Sequence, residues 1–163
     1  MKKYLNIMAC VIISLFLASC SQAQEGASAD KGGVRDFTLQ DIDNTTYTLS
    51  SYRNNQPVVL FFWTTWCSFC QREIKSLQEH YPEIAKQGAE LFAIDAGESA
   101  ATVRAFIKSQ AYSFKVLLDT DGKVANSFGV IGVPTFVLID KSGEIVATDH
   151  SFPQEKFKEI TSG

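Results

Sequence analysis

Histidine is scarce in this sequence. Only His80 and His150 occur, 70 positions apart in a chain of 163 residues. Cysteine is scarce as well: Cys10, Cys20, Cys67 and Cys70 are the whole set. Structural zinc needs four ligands, usually Cys and His. Cys67 and Cys70 would make half such a site, and only two distant histidines remain to complete it, so a zinc centre is disfavoured. Basic charge is not in surplus. The formal net charge is −3 at pH 7, which gives no electrostatic reason to expect nucleic acid. Internal repeats are absent. No apolar run reaches the ~20 residues that a membrane-spanning helix needs.

What is present fits one globular domain. Hydrophobic residues make up 45% and charged residues 20% of a chain long enough for a single sizeable core. The first twenty residues, MKKYLNIMACVIISLFLASC, stand apart. Lys2 and Lys3 precede a short apolar core, Ile7 to Ala18, which ends in the small residues Ala18 and Ser19. That is the pattern of an export signal. Leu17-Ala18-Ser19-Cys20 resembles a bacterial lipobox, in which Cys20 would receive lipid and become the mature N-terminus. An uncleaved anchor and an ordinary secreted protein are the alternatives. The expected organisation is a lipoprotein-type signal peptide at 1–19, a flexible tether at 20–33 and a folded domain at 34–163. Cys10 then leaves with the signal and Cys20 is acylated. Only Cys67 and Cys70 remain as thiols in the domain, so this is not a disulfide-stapled scaffold.

Patterned sequence begins near Val34. DFTLQDIDNTTYTLSSY alternates on both sides of an Asp-Asn cluster, which predicts an N-terminal β-hairpin of Phe37–Leu39 with Thr46–Leu49. Val58 to Trp63 is a continuous apolar run, suited to a strand covered on both faces. From Cys67 the spacing of Ile74, Leu77, Tyr81 and Ile84 is helical, and Gly88 is a fitting stop. AELFAID reads as a strand. ESAATVRAFIKSQ reads as a helix with Val103, Phe106 and Ile107 inward. FKVLLD, an Asp121-Gly122 turn and a short helix KVANSFGV follow. PTFVLID and EIVATDH form a hairpin, and Pro153 starts a last helix. Strands alternating with helices, plus hairpins, predict an α/β fold with a mixed sheet flanked by helices.

The two cysteines sit where the buried strand becomes a helix. A helix N-terminus presents unpaired N–H groups and partial positive charge. A thiolate there is stabilised, and C-x-x-C spacing lets both sulfurs bond within one turn. Cys67 is therefore the expected attacking thiolate and Cys70, one turn in, the expected buried resolving thiol. A structural disulfide closing so short a loop would stabilise little.

WTTWCSFCQREI resembles the active-site segment of the thioredoxin superfamily, specifically its TlpA/ResA-like branch. FAIDAGESAATVRAFIK, FKVLLDTDGKVANSFGV and GVPTFVLIDKSGEIV extend the likeness to the chain's end. The resemblance implies a thioredoxin-like fold and an exported, membrane-tethered thiol-disulfide oxidoreductase that needs no cofactor or metal. It implies a monomer that reduces protein disulfides, for example the haem-binding cysteines of apocytochrome c. A membrane or periplasmic dithiol would supply the electrons. Residue by residue, Cys67 and Cys70 match the redox pair and Trp66 belongs to the substrate-facing segment. Pro134 matches a cis-proline lying against the pair, and Val133 before it would meet an extended substrate. From the residues alone, Pro134 could equally be a strand-start proline. Glu73 matches an acidic residue on the active-site helix, and by pattern alone it could be a solvated surface residue.

Three familiar residues are missing. Phe61 stands where many thioredoxin-fold proteins carry a buried Asp, and Phe69 stands where Pro often precedes the second cysteine. No His lies between the cysteines, which favours a reductant over a strong oxidase. Two other classes remain. A peroxiredoxin would place its nucleophile in P-x-x-x-T-x-x-C; Thr64 fits, but Leu60 occupies the Pro position. A copper-binding module of this fold would carry C-x-x-x-C and a His.

Overall fold

The computed structural model describes residues 35–108, 110 and 112–162. The expected signal, the tether and Cys20 lie outside the described residues. Within them, seven strands form one sheet: β1 (Thr38–Asp41), β2 (Thr46–Thr48), β3 (Val58–Trp63), β4 (Glu90–Ala96), β5 (Lys115–Asp119), β6 (Thr135–Ile139) and β7 (Ile145–Asp149). Four α-helices intervene: α1 (Ser68–Lys86), α2 (Ala100–Ile107), α3 (Lys123–Ser127) and α4 (Gln154–Thr161). A short 3-10 turn spans Leu49–Tyr52.

The sheet order is β2-β1-β5-β4-β3-β6-β7. β3, β4 and β5 run parallel, while β1, β6 and β7 pair antiparallel with their neighbours. The sheet is mixed, as the alternation of elements predicts, and its arrangement is the thioredoxin-like one that the resemblance implies. β3 lies between β4 and β6, and all six of its residues are buried. Its side chains alternate between two cores. Val59, Phe61 and Trp63 join Cys70, Ile74 and Leu77 of α1, Val103 of α2 and Phe157 of α4. Val58, Leu60 and Phe62 join Leu49 of the 3-10 turn and Ala125 of α3 on the other face. Burying each large apolar side chain contributes ~1.5–3 kcal/mol, so both faces of β3 anchor the domain.

Four expectations shift. The hairpin begins at Thr38, and Leu49 leaves β2 to bury itself in the 3-10 turn. The helix read from Glu98 starts only at Ala100, because Ser99 caps it by accepting the Thr102 N–H at 3.2 Å. Phe106 is half-buried rather than inward, its ring 5.5 Å from that of Trp63. Pro153 serves as the N-cap of α4, one residue earlier than a helix start.

The topology gathers loops at one end. The parallel strands β3, β4 and β5 all finish there, and β6, running the other way, begins there. Ligand sites of open α/β sheets lie outside the carboxyl ends of such strands.

Candidate active site

β3 ends at Trp63, and the chain turns through Thr64, Thr65 and Trp66 into α1. Cys67 is the N-cap residue of this 19-residue helix. Its sulfur accepts the Cys70 backbone N–H at 3.1 Å, the place where a cap side chain satisfies a free helix donor. The Cα atoms of Cys67 and Cys70 lie 5.2 Å apart and the two sulfurs form a disulfide. The partners are unequal. Cys67 retains 7% exposure and Cys70 none.

The loop before β6 closes over this pair. The Val133–Pro134 peptide bond is cis, and the Val133 carbonyl oxygen stands 3.7 Å from the Cys67 sulfur. Behind the loop, His150 at the end of β7 donates from Nδ1 to the Pro134 carbonyl at 2.8 Å. The Thr135 hydroxyl donates to the Gly132 carbonyl at 2.7 Å, so the loop is held from two sides. The other histidine, His80, bonds the Ser76 carbonyl within α1. His150 instead supports the proline loop, a role that only the β6–β7 pairing reveals.

Large apolar side chains on the adjoining segments remain exposed to water. Trp66 is 73% exposed, Phe69 64% and Ile131 97%. Arg72 lays its guanidinium over the Phe69 ring at 4.3 Å. Exposed apolar groups concentrated on the segments that carry a reactive pair suit contact with another polypeptide. Glu73 lies on α1 one turn past Cys70. It is half-buried and lines a cavity of about 110 Å³ with Leu77, His80 and Phe152.

Two acids that sequence reasoning missed complete the site. Asp95, near the end of β4, is fully buried beside Trp63, its register partner on β3. One carboxylate oxygen accepts the Glu98 N–H at 3.1 Å, and burial, reinforced by the Glu98 carboxylate and by Asp119, pushes its pKa up to about 8. Glu98 behaves oppositely. Burial works to raise its pKa, but hydrogen bonds from Asp95 and Thr65 outweigh it and bring it below the ordinary value. Glu98 accepts the Thr65 N–H at 2.5 Å and the Thr65 hydroxyl at 2.7 Å. The signal was a lone acid closing the otherwise apolar core of ELFAIDA.

Residues 33–148 match the AhpC/TSA family. A thiol-disulfide oxidoreductase ResA of Geobacillus thermodenitrificans is 34% identical over 146 residues, covering 85% of this chain and 83% of its own. Two solved structures share the fold. The pneumococcal exposed lipoprotein thioredoxin Etrx1 of Streptococcus pneumoniae has a TM-score of 0.69 and 30% identity, over 77% of this chain and 100% of that one. StoA of Bacillus subtilis has a TM-score of 0.66 and 26% identity, over 79% and 98%. A disulfide pair at a helix N-terminus facing a cis-proline, in a chain so related, leaves one assignment: the chain belongs to the thioredoxin-like AhpC/TSA family and, like its ResA relatives, is a thiol-disulfide oxidoreductase.

Proposed function

We propose that the protein works outside the cytoplasm as a reductant of protein disulfides, with Cys67 as attacking thiolate and Cys70 as resolving thiol. The observation that carries this reading is the inequality of the pair. Cys67 caps α1 at the rim of the site, and Cys70 is wholly buried one turn inside. In the reduced protein the Cys67 thiolate attacks one sulfur of a substrate disulfide. That S–S bond breaks, the departing substrate thiolate takes a proton, and a mixed disulfide forms. Cys70 then gives up its proton, attacks the Cys67 sulfur and displaces the second substrate thiolate, which is protonated in turn. The substrate gains two electrons and two protons, and the Cys67–Cys70 disulfide remains. A dithiol donor, membrane-held or periplasmic, returns the electrons. An extended substrate segment would lie along Val133 and Pro134, with Trp66 against it. The haem-binding cysteines of an apocytochrome c are the substrate class that the family likeness suggests.

Lipid on Cys20 would keep the domain at a membrane. Leu17-Ala18-Ser19-Cys20 supports this, as does the likeness to an exposed lipoprotein thioredoxin. Among the described residues no helix is long and apolar enough to cross a membrane.

The test has two arms. Equilibrated with thiol buffers, the Cys67–Cys70 couple should have a midpoint near that of thioredoxin, about −270 mV, and the reduced protein should reduce insulin. A midpoint near the roughly −120 mV of a strong oxidase would refute the reductant. Consumption of hydrogen peroxide without disulfide reduction would favour the peroxiredoxin reading, although Leu60 lies buried inside β3. In the second arm, intact mass of the membrane fraction should show lipid on Cys20. An unmodified Cys20, or retention of Met1, refutes the anchor.

Glu73 is proposed to regulate proton release from the pair. Its charge lies one helical turn past Cys70 and opposes the helix N-terminus, raising the pKa of nearby thiols. Glu73→Gln should lower the pKa of at least one active-site cysteine, read as thiolate absorbance against pH in single-cysteine variants. It should also slow resolution of the mixed disulfide. Coincident titration curves with unchanged turnover would leave Glu73 a bystander.

A further inference from the structure

We propose that Asp95 and Glu98 share one proton and act together as positioning residues, clamping the segment that leads into Cys67. The inference rests on the reading of Cys67 as the attacking thiol. Asp95 Oδ1 accepts the Glu98 N–H, but Asp95 Oδ2 is buried and, among the described residues, no N–H or hydroxyl reaches it. An ionised Oδ2 there would be charge stripped of water and of donors. A proton on Oδ2 resolves this, because it donates to the adjacent Glu98 carboxylate. Two carboxyls in such contact do not both ionise readily. Glu98 keeps the negative charge because it gathers the donors: the Asp95 proton, the Thr65 N–H and the Thr65 hydroxyl.

The clamp reaches the chemistry through two residues. Thr65 precedes Trp66 and Cys67. Its N–H and hydroxyl are held by Glu98, and its carbonyl accepts from Gln71 Nε2 at 2.7 Å. Gln71 in turn closes the first turn of α1 by donating its N–H to the Cys67 carbonyl at 3.0 Å. The peptide before the nucleophile is thus gripped from the β4–α2 loop on one side and from α1 on the other. Both grips fix where Cys67 meets a substrate sulfur.

The charges around Asp95 all favour its proton. Glu98 follows it in the loop, and Asp119 ends the neighbouring strand β5. β3 places Trp63 at the register position beside Asp95. On α2, Arg104 is turned away to the Ile42 carbonyl. On α1, Arg72 lies over Phe69 and the cysteines are joined. When pH rises through about 8, Asp95 ionises, repels Glu98 and loosens the hold on Thr65. An acid whose pKa is about 8 folded and about 3.9 unfolded holds a proton that the unfolded chain has lost. Stability therefore falls as pH rises from about 4 to about 8 and levels off above.

Asp95→Asn separates the clamp from its proton. The Asn oxygen accepts the Glu98 N–H and its amide donates to Glu98, with nothing left to titrate. The experiment uses the reduced full-length protein and measures iodoacetamide alkylation of Cys67 and insulin reduction from pH 5 to 10. The wild-type to Asp95→Asn rate ratio should be constant below pH 7 and fall about 10-fold by pH 10, a loss within the range that small misplacement produces. Glu98→Gln should slow both reactions about 10-fold across the whole range, because a carboxamide cannot accept both Thr65 donors. Carbon-13 shifts of the Asp95 carboxyl in the wild type should titrate at about pH 8, which decides the matter even if a variant does not fold. A carboxyl that titrates below pH 5, or superimposable pH profiles for wild type and Asp95→Asn, overturns the clamp. Alkylation at Cys70 instead of Cys67, with the Asp95 titration intact, overturns the assignment of the attacking thiol and leaves the shared proton standing.

Discussion

Cys67→Ala is expected to abolish disulfide reduction, and Cys70→Ser to leave the protein stalled as a mixed disulfide with its substrate. The first loss should exceed about 10³-fold, since covalent catalysis has no second route once its nucleophile is gone. The reason is local. At the N-cap of α1 the Cys67 sulfur already receives the Cys70 N–H, and the thiolate would gain more from that donor and from the helix dipole. Cys70 has no such setting: it is fully buried, which raises a thiol pKa and blocks approach by a substrate. Resolution therefore waits for Cys70 to lose its proton, and a serine there does not attack sulfur. Peptide mapping of the trapped species should show the substrate joined to Cys67. A trap joined through Cys70 would reverse the two roles, and near-normal insulin reduction by Cys67→Ala would sink the mechanism.

Much of this arrangement was legible in the residues. Val58 to Trp63 reads as a two-sided buried strand because every position is apolar, and it is one. The C-x-x-C at its end announces both the helix start and the chemistry, because spacing and helix geometry are local. The less visible parts depend on register. Nothing near Asp95 in the chain says that Trp63 will lie beside it, and Glu98 matched the helical pattern until Ser99 took the cap. His150 gives no local signal because its partner, the Pro134 carbonyl, is 16 residues away across a hairpin. Pro134 itself was ambiguous by pattern, and the family likeness separated its readings. The resemblance points to Glu73 as the acid of the site, whereas the fully buried acid, Asp95, lies near the end of the neighbouring strand.

Restoring an acid at that missing position should therefore ruin the domain rather than improve it. Phe61 is fully buried in the middle of β3, between Ala93 of β4 and Phe136 of β6. Its ring stacks on that of Phe136 with centroids 4.7 Å apart, in the core that also holds Cys70 and Ile74. Phe61→Ala removes that packing and leaves a cavity, at a cost of about 3–5 kcal/mol. Phe61→Asp leaves most of the same cavity and adds a carboxyl among apolar neighbours. Charged, it is stripped of water among apolar side chains; neutral, it has taken a proton at neutral pH to enter the core. Whole domains hold only about 5–15 kcal/mol, so Phe61→Asp should consume most of that margin. Urea unfolding at pH 7, followed by tryptophan fluorescence, should show Phe61→Ala with a lowered midpoint and Phe61→Asp largely unfolded before denaturant is added. Asp95, two residues closer to the strand ends and one strand over, instead places a carboxyl beside Glu98. A Phe61→Asp protein within about 1 kcal/mol of wild type would show that the core tolerates the acid and that its place on β4 is incidental.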